Sequence, residues 1–428
     1  MMAHNATWMI VCKALQSLVQ MVLGMITARY LGPSDYGLIS YAAAVTAFAV
    51  PFMRLGLDET LVREYVAEPD REGEIVSTAL VMNGLSGLAC MVCVILFVSA
   101  ANAGEPVTIL VCGLYSLSLL FQAVEMMQYW FHARLLSRYA SGAMLMAYGI
   151  VAVYRILLLI LRKSVYWFAV VHCLEYALTG AVLLVVYSGQ KGKLRRPSLR
   201  MAKRLFSRSR YYILAGLMVT VFHNTDHIML KLMLGDGANG YYTAAVTCTI
   251  VVSFVYNAVI DAWRPVILKH HGRGDGEFQR HLVCLYAVMI CMTLLQAVCF
   301  TVLGRILVLF LYGSAYLPAV PVLWILVWMQ PFSYMGTIRN IWILAEEQHS
   351  LLWKINLCGA VANVGLNGLL IPVWGAGGAA AASVVTQVFT NVIVGFFFRP
   401  IRENNRLLLK GMHPAHLREA WVIWKEKK

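Results

Sequence analysis

Long apolar stretches alternate with short polar connections along nearly the whole chain. A helix needs about 20 mainly apolar residues to cross the hydrocarbon core of a bilayer. Stretches of that length begin near Trp8, Leu38, Ile75, Val107, Ala140, Val165, Tyr211, Gly240, Leu282, Leu317, Leu351 and Gly377. The pattern predicts an all-α integral membrane protein with twelve transmembrane helices. Its first two stretches form an almost continuous helical run, divided by Gly32, Pro33 and Gly37. The first is longer than a signal-peptide core and lacks a small-residue cleavage site, so it is expected to remain as a span.

Charge adds an orientation. Of 35 basic residues, 27 fall on alternate connections or the C-terminal tail: Arg54, Arg63 and Arg71; Arg134 and Arg138; nine from Lys191 to Arg210; Arg264, Lys269, Arg273 and Arg280; Lys354; and eight after Phe398. Lys and Arg favour cytoplasmic loops, which places both termini in the cytoplasm. Topology thus accounts for the net charge of +14. The cations form no single patch interleaved with exposed aromatics, so no nucleic-acid partner is expected. All ten cysteines lie in apolar stretches, where free Cys packs as a small hydrophobe. Cys90 and Cys93 have C-x-x-C spacing but no neighbouring ligands, and neither a metal site, a cofactor nor a disulfide framework is predicted.

The chain reads as built twice. A shift of about 203 residues brings Leu31-Gly32 onto Leu234-Gly235, Gly37 onto Gly240, Ala42 onto Ala245 and Asp58 onto Asp261. The expected organisation is a lobe over 1–189, a basic cytoplasmic linker over 190–210, a second lobe over 211–398 and a basic cytoplasmic tail over 399–428. Two six-helix lobes related by a pseudo-twofold axis along the membrane normal suit alternating access around a central cavity. A transporter is the reading that follows, and an enzyme is not expected.

Several segments carry a family resemblance. The run from Ala28 to Gly37, Ala-Arg-Tyr-Leu-Gly-Pro-Ser-Asp-Tyr-Gly, followed by Leu55-Gly56-Leu57-Asp58 and Leu61-Val62-Arg63-Glu64, resembles the opening of Wzx-type polysaccharide-transporter flippases of the MATE-like MOP superfamily. The segment Asp226–Leu230 with Leu234-Gly235 and Gly240-Tyr241-Tyr242 is similar to that family's seventh-to-eighth spans. Tyr312-Gly313 with Tyr316–Leu323 is similar to its ninth-to-tenth, and Ile371-Pro372 through Ala380 to its eleventh-to-twelfth. The resemblance implies a MOP fold in a bacterial or archaeal cytoplasmic membrane. It implies movement of an undecaprenyl-diphosphate-linked oligosaccharide to the outer leaflet for O-antigen, capsule or exopolysaccharide synthesis, alongside other polysaccharide assembly machinery.

Such a ligand needs inward-facing cations. An ionisable group within a span marks a functional candidate unless it snorkels to the interface. Lys231, Arg305, Arg162 and Lys163 lie near helix ends and are read as snorkelling. Arg29, Arg339, Arg155 and Lys13 remain as candidates for the diphosphate or sugar, arginine being suited by its permanently charged, planar fork of donors. His223, Asp226 and His227 share one face of the seventh span and are candidates for a coupling cation or proton, as are Glu125 in the fourth and Glu175 in the sixth. The competing reading for each of these is interhelical hydrogen bonding. Arg54 with Asp58, and Asp261 with Arg264, are the expected cytoplasmic gate pairs.

Two rival functions make different demands. A cation or drug antiporter of MATE type needs an acidic or aromatic cavity, whereas the intramembrane set here is rich in Arg and Lys. A membrane polysaccharide polymerase or ligase usually presents a long external loop, and every external connection here is short. The topology is directly testable: cysteine labels at Gly104, Gly237 and Gly375 should react from outside, and one at Lys193 only from the cytoplasm. External reactivity at Lys193 would overturn the twelve-span reading.

Overall fold

The structure is a computed structural model that describes residues 2–190, 192–272, 276–348, 350–413 and 415–426; side chains of 2–14, 423, 424 and 426 are outside the description. The described residues form helices and turns without a strand. A bilayer offers backbone amides no water to bond, so segments that cross it must satisfy their own hydrogen bonds. In chain order the helices are α1 (Met2–Arg54), α2 (Leu61–Ala67), α3 (Glu72–Ala101), α4 (Pro106–Ser116), α5 (Ser118–Glu125), α6 (Gln128–Ala133), α7 (Ser137–Ile160), α8 (Val165–Gly189) and α9 (Leu199–Leu234). They continue as α10 (Asp236–Ile250), α11 (Ser253–His270), α12 (Glu277–Leu311), α13 (Ala319–Leu326), α14 (Met329–Ala345), α15 (Ser350–Trp374), α16 (Ala376–Val388), α17 (Val394–Phe397), α18 (Arg402–Gly411) and α19 (Ala415–Glu426). A π-helical turn, Phe389–Ile393, joins α16 to α17.

Ten of these stretches are long and apolar enough to span a membrane, and α10 with α11, bent by 42°, makes an eleventh. Counting α1 as one span sets this total. At 53 residues α1 would measure about 80 Å if straight, far beyond the roughly 30 Å of a hydrocarbon core. It breaks at Gly32, whose φ of 80° and ψ of 171° are non-helical and open to glycine. The two pieces, roughly 30 and 20 residues long, each suffice for a crossing, which accounts for the twelve spans read from hydropathy. Large apolar side chains such as Leu85, Leu96, Ile160, Val302 and Ile306 stand outward, as lipid-facing surfaces require.

Contacts divide the chain into two compact units, Met1–Gly240 and Tyr241–Lys428. The division lies inside α10, beyond the 190–210 connection expected as the linker, because α9 packs along α1. Ser209 Oγ donates to the Leu55 carbonyl at 2.7 Å, Gly216 lies against Pro51, and just past the end of α9 Asn239 Nδ2 donates to the Gly37 carbonyl at 2.7 Å, so α9 and the second half of α1 run antiparallel. The basic connection is strapped down before α9 begins. Arg195 donates through its backbone to Gly73 O at 3.2 Å, and the Ser198 N–H to Thr78 Oγ1 at 3.1 Å. Glu64, buried, then receives Arg204 at 2.7 Å and also Arg208, while Arg204 reaches on to Glu68.

The proposed repeat leaves a mark within the first unit. Gly32 and Gly235, matched by the 203-residue shift, share one backbone conformation, with φ of 80° and 89° and ψ of 171° and 179°. Gly37 and Gly240, also matched, meet reciprocally: a Cβ on Gly37 would sit 1.9 Å from Asp236 O, and one on Gly240 1.9 Å from Pro33 O. A reciprocal contact between equivalent positions is what a twofold relation generates.

In the second unit the core is centred on Tyr256, Tyr286, Ile338, Trp342 and Leu408. Thr249 O there accepts from both Gln296 Nε2, at 2.8 Å, and Gln330 Nε2, at 3.3 Å.

Gly37→Ala and Gly240→Ala should each lower stability in detergent by at least about 1–3 kcal/mol, the usual cost of forcing atoms into a filled site. Gly84→Ala, inside α3 with nothing within 4 Å, should instead stabilise by up to about 1 kcal/mol. Thermal unfolding of the three variants in parallel checks the contrast.

Candidate functional site

The first unit carries a line of charges that crosses several helices, from the end of α1 to α7 and α8. Arg54 ends α1, and its guanidinium lies 3.8 Å from Asp58 and 3.5 Å from Glu125 at the end of α5. The ion pair expected between Arg54 and Asp58 therefore forms, with Glu125 as a third member. Glu175 on α8 lies 3.9 Å from His172 Nδ1 and within electrostatic range of Arg155 on α7 and of Glu125. His172 stacks on Tyr115 at 4.6 Å between centroids and meets Tyr176 edge-on at 4.9 Å. Arg54, Glu125, Glu175 and Arg155, which the sequence spread over three roles, thus join one network lined by Tyr115, Tyr129, Tyr148 and Tyr176. Two carboxylates beside two guanidiniums can exchange partners when a proton, cation or anion arrives. In a site sheltered from water each exchange carries far more energy than it would at the surface.

A second ionic cluster sits where α9 ends and α4 and α10 begin. Lys231 Nζ, with its side chain 3% exposed, donates to Glu105 Oε2 at 2.6 Å and to Asp236 Oδ2 at 2.9 Å. The snorkelling reading of Lys231 is therefore corrected: the loop before α4 folds Glu105 over the end of α9, and burial between two carboxylates is the lower-energy place for the ammonium. Thr108 Oγ1 also donates to Glu105, at 2.7 Å. The Glu105 carboxyl is held below the usual carboxylate range, first by its hydrogen bond from Lys231 and then by Thr108.

The polar run of α9 separates by face. Asp226 is buried, His223 is exposed, and His227 lies between, with its Nδ1 2.8 Å from Asn239 Oδ1. Asp226 acts electrostatically on both imidazoles, and Asn239 continues to Gly37 O. Arg29 is exposed on α1, and the Lys13 side chain lies outside the described residues. Arg305, Arg162 and Lys163 are exposed near helix ends, with Lys163 Nζ 5.8 Å from the Trp167 ring centroid.

In the second unit Arg339 on α14 is 3% exposed. Its Nη1 donates to Thr390 O in the π-helical turn at 2.8 Å and its Nη2 to Asn340 Oδ1 at 3.4 Å, while Nε has no hydrogen-bond partner. No carboxylate pairs with it among the described residues. A π turn frees backbone carbonyls, and the guanidinium takes one of them. The expected second gate pair does not form: Asp261 and Arg264 are both exposed on α11, and no ion pair joins them among the described residues. Three positions apart on a helix the two can meet, but exposure to solvent leaves little driving force.

The sequence from 2 to 271 matches the model of a family described as polysaccharide biosynthesis protein. The chain belongs to that family. No curated protein matches this family member in sequence. Solved structures give the fold: it is similar to an inward-facing multidrug resistance MATE family transporter of the MOP superfamily, with 14% identity over 92% of this chain and 96% of the other and a TM-score of 0.72. It is similar to the lipid II flippase MurJ in an inward closed conformation, with 13% identity over 98% and 93% and a TM-score of 0.69. A MOP superfamily transporter from Pyrococcus furiosus, reported with reversed polarity of its binding pocket, matches at 13% identity over 95% and 96% with a TM-score of 0.62. This family member is a multi-pass membrane protein with the MOP fold.

Two constellations of this family member were not anticipated from sequence: the Lys231 cluster, and Glu64 with Arg204 and Arg208. Glu64 stands in the family-like Leu61-Val62-Arg63-Glu64, and its partners lie 140 and 144 residues on in the basic connection. The one available signal was that Asp236 stands five residues after Lys231, and Glu105 just before α4.

Lys231→Met should destabilise the protein by about 1–3 kcal/mol, discounted from the value for fully buried pairs because Glu105 is half-exposed. Glu105 also predicts an acid limb. Its folded pKa is depressed, so its contribution is complete above the unfolded carboxylate pKa of about 4.3. That contribution disappears as pH falls through the lower folded value. Unfolding followed between neutral pH and that acid range should show this limb in the parent, and a weaker one in Lys231→Met.

Proposed function

We propose that this protein is a flippase that moves polyprenyl-diphosphate-linked oligosaccharide units across the cytoplasmic membrane by alternating access. The observation that carries the reading is the family match over residues 2–271 on a chain with the MOP fold. MurJ, similar in fold, is named for flipping lipid II, a use of this architecture that fits a lipid-linked cargo. The charges add the sign of the ligand. Arg339 is buried without a carboxylate partner among the described residues, and leaving a buried charge uncompensated costs several kcal/mol. An anionic diphosphate drawn to it regains part of that cost, and a cationic drug would add to it.

In this scheme Arg339 and Arg155, with Arg29 and Lys13, attract the diphosphate while the polyprenyl chain stays in lipid. Exchange of partners by Arg54 among Asp58 and Glu125 opens or closes the cytoplasmic end, and Asp226 with its two histidines, or Glu125 and Glu175, carries the coupling cation or proton. O-antigen, capsule and exopolysaccharide precursors all present the same diphosphate, so the glycan is chosen by side chains that line the route of the sugars.

Transfer of lipid-linked glycan between leaflets of proteoliposomes, with and without an imposed ion gradient, tests the proposal. Arg339→Ala should slow transfer about tenfold or more, the value of one charge-assisted contact, and Arg339→Lys should recover part of it. Asp226→Asn should keep basal transfer and lose the stimulation by the gradient. Parent-like transfer by a folded Arg339→Ala protein removes Arg339 from the site; failure of every lipid-linked glycan to cross overturns the flippase reading.

A further inference from the structure

The tail after Phe398 carries eight basic and three acidic residues, and in the structure it is folded. Its two helices, α18 and α19, pack on the start of α12. Tyr286 OH donates to Asn404 Oδ1 at 3.0 Å, Gly411 lies against the Tyr286 side chain, and Ala420 is buried beside Cys284. Arg280 Nε reaches Glu419 Oε1 at 3.4 Å, and His416 Nδ1 lies 2.7 Å from Glu419 Oε2. Asn405 Nδ2 donates to Val392 O in the π-helical turn at 2.8 Å. The tail is thus fixed to the second unit by one face of each helix.

The opposite face is open and has a distinct composition. On α19 Arg418, Trp421, Val422 and Lys425 are exposed at spacings of three, one and three, a single stripe of a helix. Lys425 Nζ lies 5.6 Å from the Trp421 ring centroid, and Trp421 is 57% exposed. On α18 Arg402, Glu403, Arg406, Leu409 and Lys410 are exposed, with Glu403 accepting from Gln279, and Met412 follows. A purely hydrated tail gains nothing by presenting Trp, Val, Leu and Met among its cations.

The depth of this face follows from α12. That helix has 35 residues, about 52 Å, so it outruns a hydrocarbon core of roughly 30 Å by about 20 Å. The residues that hold the tail, Arg280 to Tyr286, lie within about 15 Å of its start, the end that the distribution of Lys and Arg assigns to the cytoplasm. The tail therefore stands at the level of the lipid headgroups.

We infer that α18 and α19 form a membrane-surface anchor whose basic and aromatic face binds anionic lipid headgroups of the cytoplasmic leaflet. Trp and aliphatic side chains enter the boundary of headgroup and acyl chain, and the cations supply electrostatic attraction. Charge complementarity selects the occupant: five exposed cations on the two helices, Arg402, Arg406, Lys410, Arg418 and Lys425, outweigh the one exposed carboxylate among their described side chains, Glu403, and face a leaflet that is negative.

The test is hydrogen–deuterium exchange of the full-length protein in nanodiscs of phosphatidylcholine alone or mixed with phosphatidylglycerol. Exchange across α19 should slow by about fivefold or more in the anionic discs, the effect of about one charge at a membrane surface. Arg418→Gln combined with Lys425→Gln should remove that slowing, as should high salt. The first two turns of α12 report that the fold is kept. Equal exchange in the two lipids, or slowing that survives the double substitution, overturns the anchor. Protection that arises only on addition of a cytosolic protein overturns it too, in favour of a protein partner.

Discussion

A hydrocarbon slab cannot solvate a charge or an open backbone amide, and each unusual feature of this protein is a place where the chain answers that constraint internally. Where the π-helical turn at Phe389–Ile393 interrupts the regular pattern, Arg339 and Asn405 take the carbonyls of Thr390 and Val392. Where a lysine is drawn into the protein at the end of α9, two carboxylates meet it. Where the chain breaks at Gly32 and again at Gly235, glycine supplies a backbone conformation that other residues avoid. The fold is a set of local solutions to one solvent.

The same constraint explains why ionic clusters can work as moving parts. In water an ion pair is worth little, since solvent replaces either partner at small cost. Within the first unit Arg54 is placed between Asp58 and Glu125, and Glu175 between a histidine and the field of Arg155. Protonation of one carboxylate, or arrival of an anion, forces the remaining charges to find new partners. The same clusters can therefore stabilise one arrangement of helices and, after such a change, another.

The glycine contacts show a different use of chemistry, in which absence of a side chain positions the helices. Gly37 and Gly240 bring backbone against backbone, each facing the carbonyl that the repeat predicts for the other. Close approach of helices in membranes depends on such small residues, because dispersion at short range takes over from the hydrophobic effect. The contact also ties the start of α10 to the first unit, which is why the division by contacts falls within α10 and not in the basic connection.

Sequence by itself determined the features set by one-dimensional chemistry. Hydropathy marks the spans, and the 203-residue shift pairs Gly32 with Gly235 and Gly37 with Gly240, which share their geometry in the fold. The Arg54–Asp58 pair was also legible, four residues apart across the end of one helix. Tertiary structure alone decided which distant charges meet: Lys231 with Glu105, Glu64 with Arg204 and Arg208, and Glu125 with Glu175 through the tyrosines between α5, α7 and α8. It decided too that Asp261 and Arg264 stay unpaired with each other, and that a basic tail becomes two packed helices. Periodicity fixes which face a residue occupies on its own helix. Pairing depends on the rotation and depth of other helices, and no spacing along the chain encodes these.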